Sequence, residues 1–179
     1  MLKKLRWGAI IISLAAAGCA GTGEQIYRSS PAVQTVSTQH YDVTLEPMLA
    51  EGYNYYNQFR FSFTNKINGD LTIDWSETYY LQNGRRYGLF GWVGLTFEEL
   101  RGLREEPDVT VAAGQSHTVD LFPLRLMGWR EEGVAKKDAT PEAGFTNGVI
   151  PAGENGMSIA VIKDGQVLRK RVLVTITQE

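Results

Sequence analysis

Cysteine and histidine are the scarcest reactive residues of this 179-residue chain, with one and two copies. A single cysteine excludes an internal disulfide, so the fold has to hold by its core alone. His40 and His117 have no neighbour at metal-ligand spacing, and no cysteine pair exists to complete a zinc set. No metal site is therefore expected, and no cofactor is implied. Past the N-terminal segment, no apolar run approaches the ~18 residues of a spanning helix. Glycine loops for phosphate and calcium-loop spacing are missing. Gly114-Gln115-Ser116-His117 lacks the closing glycine of a nucleophile elbow and reads as a turn entering a strand. No internal repeat is evident at solenoid periods.

The one cysteine has a particular place. Lys3, Lys4 and Arg6 form a basic head, Trp7 to Leu14 is a short apolar run, and Ala15-Ala16-Ala17-Gly18 leads into Cys19. That is the layout of a secretory signal, with an apolar run too short for a mature spanning helix. Cysteine directly after Ala-Gly resembles the lipobox of bacterial lipoproteins. The resemblance implies cleavage before Cys19 and acylation of its thiol and of the new amino group, so residues 1–18 are expected to be removed. Two or more acyl chains anchor stably, since each buried CH₂ is worth about 0.8 kcal/mol. Ala20, in place of an inner-membrane-retaining Asp, implies an outer-membrane anchor with the domain facing the periplasm. The competing reading is an ordinary signal cut after Ala17, leaving a free thiol.

The signal carries three basic residues and no acidic ones, so the remainder holds 15 Lys and Arg against 20 Asp and Glu, a formal net charge of −5. Such a chain is a poor partner for nucleic acid or anionic headgroups. Residues 19–39 are rich in Gly, Ser, Thr, Gln and Ala. That composition predicts a flexible, lipid-anchored tether, reaching about 70 Å when extended.

Residues 40–179 alternate at the period of strands. Tyr41, Val43 and Leu45 start the pattern. Phe59, Phe61 and Phe63 alternate with Arg60, Ser62 and Thr64, and Leu71, Ile73 and Trp75 follow after Asn68-Gly69. A two-residue turn there would set Phe63 opposite Asp74, apolar against polar. Either a three-residue loop with a bulge repairs the register, or the two strands lie in different sheets, which we favour. Asn83-Gly84 predicts a hairpin with Tyr80 opposite Tyr87, and Asp164-Gly165 one with Val161 opposite Leu168 and Met157 opposite Val172. Thr96 and Glu99 resemble a capping box opening a short helix that Pro107 stops. The expectation is an all-β fold: an immunoglobulin-like antiparallel β-sandwich of seven or eight strands with one short helix. The pattern resembles the immunoglobulin-like domains of bacterial envelope lipoproteins, and a lipocalin-like β-barrel is the alternative.

Candidate binding residues are aromatic. Tyr79, Tyr80, Tyr87 and Trp92 lie close in sequence, together with Tyr53, Tyr55, Tyr56 and Phe90. Trp129 stands in the weakly periodic stretch 124–155, read as a long loop. Such aromatics suit a protein interface or a glycan platform, or else they are core. Asp74 with Glu77, and Glu131 with Glu132, are the only acid pairs beside tryptophans, and read as surface charges rather than glycoside-cleaving carboxylates. The function expected is a non-enzymatic accessory or assembly subunit binding another envelope protein. A glycan or peptidoglycan module is the alternative, and an envelope hydrolase comes third.

Mass spectrometry of the mature protein from native membranes is expected to give a chain starting at Cys19 and carrying acyl groups. Cys19→Ser is expected to abolish that mass and mislocalise the protein.

Overall fold

The computed structural model describes residues 25–95, 99, 108–130 and 144–179. Cys19 with the expected lipobox, and apart from Glu99 the helix expected between Thr96 and Pro107, lie outside them. Fourteen strands are described. They are β1 (Tyr27–Ser30), β2 (Gln34–Ser37), β3 (Tyr41–Leu49), β4 (Tyr56–Asn65), β5 (Leu71–Ile73), β6 (Tyr79–Gln82) and β7 (Arg85–Gly88), followed by β8 (Phe90–Trp92), β9 (Val109–Val111), β10 (Ser116–Pro123), β11 (Gly128–Arg130), β12 (Gly144–Thr146), β13 (Gly153–Lys163) and β14 (Gln166–Gln178).

Alternation on β4 dictates the first sheet. Phe59, Phe61 and Phe63 are fully buried, each worth about 1.5–3 kcal/mol relative to exposure. The opposite face carries Arg60 bound through Nε and Nη2 to the Asp120 carboxylate (2.9 and 3.0 Å), Ser62 to Thr118 (3.0 Å) and Thr64 to Ser116 (2.8 Å). These cross-strand pairs line up β4 with β10, and the sheet runs β2-β3-β4-β10-β8. The second sheet runs β1-β14-β13-β5-β9, with β6 alongside β13 beyond β5 and β7 on β6. All pairings are antiparallel, and the two sheets remain separate, so the barrel alternative is excluded. The order β3-β4-β10 against β5-β13-β14 is that of an immunoglobulin-like sandwich.

The two strands flanking Asn68-Gly69 lie in different sheets, as their parity requires. Asn65 holds the crossing. It is buried, its Nδ2 donates to the carbonyls of Gly69 (2.8 Å) and Val111 (2.9 Å), and its Oδ1 accepts from Ile67 N (3.0 Å). Trp75, just past β5, packs edge-on to Phe61 and Trp92 at 5.4 and 5.0 Å between centroids.

Besides the β11–β12 pair, two features raise the strand count above the expected seven or eight. One is that a turn splits β5 from β6 on the same flank of β13. Asp74 Oδ1 accepts from Ser76 Oγ (2.7 Å) and Glu77 N (3.0 Å), while Thr78 Oγ1 donates to Asp74 O and accepts from Ala160 N. The other is a correction to the tether. Residues 27–37 are not a flexible linker but β1 on β14 and β2 on β3, so one short segment adds an edge strand to each sheet. Composition measures what a segment can bury by itself. Here Tyr27 and Val36 close the margins of a core that others build, and the edges supply backbone partners.

The last hairpin has the expected register, Val161 opposite Leu168 and Met157 opposite Val172, with Asp164 (φ +49°) and Gly165 (φ +76°) in the turn. The Asn83-Gly84 hairpin departs from it. Gln82 meets Arg85, but a bulge then sets Tyr80 against Gly88 rather than Tyr87. The stretch 124–155 is not one loop either. It holds a 3₁₀ turn (Leu124–Leu126), the pair β11 and β12, and the start of β13.

A chain beginning at Gln39, which lacks β1 and β2, is expected to melt at least about 5 °C below one beginning at Ala20, by calorimetry. Equal midpoints would return these residues to the role of a linker.

Candidate functional site

The strand aromatics do not share a face. Tyr80 is fully buried in the core, its hydroxyl donates to Asn155 Oδ1, and burial pushes its pKa up. Tyr87 is half-buried, edge-on to Tyr80 at 6.1 Å and covered by the Arg125 guanidinium at 5.0 Å. Trp92 packs against the core through Trp75. Only Tyr79 turns to the outer face. Four neighbours in sequence therefore divide between core and surface, and no single aromatic platform forms from them. Tyr53 and Tyr55 pair at 5.1 Å in the turn between β3 and β4. The backbone of Trp129 pairs with Phe145 in the β11–β12 ribbon. Glu131 and Glu132 lie outside the described residues.

What gathers on the outer face of the second sheet is basic. Gly156, Ser158 and Ala160 on β13 alternate with core residues and are small, so they leave a shallow floor. Arg171 pairs across from Ser158 and Arg169 from Ala160, while Tyr79 stands opposite Ser158 on the other flank. The result is a groove of about 280 Å³ lined by Tyr79, Ser158, Arg169, Lys170 and Arg171. The Arg86 guanidinium lies 4.5 Å from the centre of the Tyr79 ring. Arg169 donates to Glu77 O (3.0 Å) and to its carboxylate (2.5 Å). Among the described residues, neither Lys170 nor Arg171 has a carboxylate partner.

A larger hollow of about 550 Å³ lies on the other side of β14, between Ser37, Thr38, Gln39, His40 and Tyr41 and residues 167–170. Arg169 and Lys170 border both. β1 covers β14 only from Thr175 to Gln178. Among the described residues, β14 from Gln166 to Val174 thus has no hydrogen-bonded strand on that side, although β2 and β3 pass near it, and Arg169-Lys170-Arg171 runs along this unpaired edge. Charged side chains on an edge strand oppose uncontrolled pairing with other chains.

The remaining candidates have structural partners. Asp74 is tied into its turn, and Glu77 is held by Arg169. His117 faces inward opposite Phe63, its Nε2 is buried with no hydrogen-bond partner, and burial lowers its pKa. Among the described residues, no group of three or more His, Cys, Asp and Glu side chains could hold a metal ion. No family model, curated protein or solved structure matches this chain.

The sequence pointed at aromatics and passed over the basic edge. Its signal was there, as Arg169 and Arg171 opposite Ala160 and Ser158 at period two. Tyr80→Phe is expected to cost about 1–3 kcal/mol in denaturant unfolding, because Asn155 loses its buried donor. Tyr79→Ala is expected to stay within about 0.5 kcal/mol.

Proposed function

We propose that this chain is a non-enzymatic bacterial lipoprotein, anchored through Cys19 to the outer membrane and facing the periplasm, that serves as an accessory subunit of an envelope complex. Its partner is another envelope protein, which presents an extended acidic segment to the open edge of β14. The observation carrying this reading is the unpaired stretch Gln166–Val174 with Arg169, Lys170 and Arg171 along it, on a chain whose net charge is negative. An exposed sheet edge accepts an added strand through main-chain hydrogen bonds, and alternate side chains supply selectivity. Basic side chains at such an edge favour acidic partners and speed their encounter. The glycan reading has weaker support, since Tyr79 is the only one of its strand aromatics on the outer face. The hydrolase reading is weaker still, with Asp74 and Glu77 already engaged in a turn and an ion pair.

Capture of the native lipoprotein from gently solubilised membranes is expected to recover a stoichiometric partner, and the yield is expected to fall with added salt. K170E/R171E is expected to lose at least about tenfold of that partner with an unchanged melting temperature. Full retention by this variant would remove the β14 edge from the interface. A wild-type protein that captures nothing would overturn the accessory-subunit reading.

A further inference from the structure

One end of the sandwich gathers apolar side chains that the core does not use. Ile26 exchanges backbone hydrogen bonds with Glu179 (3.1 and 3.0 Å), and Tyr27 N donates to Asn54 O (3.0 Å). Ala50 N donates to Tyr55 O (2.9 Å) and Tyr53 N to Ala50 O (3.0 Å), which closes the turn between β3 and β4. Ile150 N donates to Tyr56 O (2.8 Å) and brings Val149 to the same end. Seven large hydrophobic side chains are exposed among the described residues, and four of them are here: Ile26 (43 %), Leu49 (50 %), Tyr53 (54 %) and Val149 (39 %). Apolar residues scattered singly over a surface need no explanation. Their concentration at one pole, with the Tyr53–Tyr55 ring pair beside them, does.

The chain tells which pole this is. Seven residues lead from Cys19 to Ile26, a span of at most ~25 Å. A flexible linker of twenty residues would have let the domain float clear of the lipid. With β1 built into the sheet, an acylated Cys19 holds this pole against the bilayer. Tyrosine suits that boundary, with a ring for the acyl region and a hydroxyl for the headgroups.

We infer that the pole formed by Ile26, Leu49, Tyr53 and Val149 is a lipid-contacting surface, seated in the interface of the bilayer that holds Cys19. This rests on the lipid-anchor reading and adds an orientation to it. The sandwich stands on its N-terminal end. Arg169–Arg171, seven to nine residues back along β14 from Gln178, are then about 25–30 Å further from the lipid. The open edge points into the periplasm.

Photo-cross-linking of the full-length lipoprotein in cells tests this, with benzoylphenylalanine placed at the Tyr53 position and, separately, at the Arg171 position. Intact-mass spectra read the Cys19 acyl groups and any adduct together. The expected result is a phospholipid adduct from position 53 and none from position 171, on a chain acylated at Cys19. Lipid adducts at both positions would overturn the upright orientation. Protein adducts only, or none, at position 53 on an acylated chain would overturn the lipid contact while leaving the anchor standing. An unacylated Cys19 would overturn the anchor and the inference with it.

Discussion

A parity conflict organises this fold. Phe59, Phe61 and Phe63 must all be buried, and so must Leu71, Ile73 and Trp75, yet a tight turn between the two runs would face each apolar side chain with a polar one. The chain resolves the conflict by sending the second run to the opposite sheet, where both sets meet across the core. That crossing needs a polar anchor in a dry place, and Asn65 supplies it with three hydrogen bonds inside the loop and to Val111. With the crossing fixed, β4 and β5 define the two layers, and β10 and β13 have one sheet each to join. Unpaired Asn65 groups would cost about 1–3 kcal/mol apiece, so the polar contact and the aromatic core depend on each other.

Where one local signal decided one local structure, the sequence was readable. Asp164-Gly165 set the register of eleven residue pairs between β13 and β14, because a two-residue turn leaves no freedom once its backbone signs are fixed. Phe59 to Phe63 declared their buried face by alternation alone. Illegible features were those settled between distant segments. Tyr27 and Val36 look unremarkable in a polar stretch and become margins of the core only when β14 and β3 stand beside them. Tyr79 and Tyr80 look like one aromatic patch and fall on opposite faces, since neighbours along a strand always do. The bulge at Tyr80 has no sequence signature at all, and it accompanies a buried bond from the Tyr80 hydroxyl to Asn155 on the neighbouring strand.

The candidate site follows the same division. An aromatic cluster was expected because aromatics are conspicuous in sequence, whereas a groove also depends on what is small. Gly156, Ser158 and Ala160 contribute by taking little room, and the basic side chains of β14 flank the floor they leave. Gly156 is held to that role by backbone contact, since a Cβ there would lie 2.0 Å from Val172 O. The basic edge opposes pairing of sister copies with β14, and in the complex we propose it would also mark β14 for an acidic chain.

The short strand β1 has a mechanical consequence. It runs antiparallel to β14 through four residue pairs, Tyr27 to Ser30 against Gln178 to Thr175. Tension that enters at the N-terminal side of Tyr27 and leaves through a partner clasped further back on β14 acts along both strands, in opposite directions. The rungs between them are then sheared together rather than peeled one after another. Edge strands arranged for peeling give way at the first rung. In this geometry the join between β1 and the sheet resists a pull along the strands as a unit, and it yields readily only to a force across the sheet.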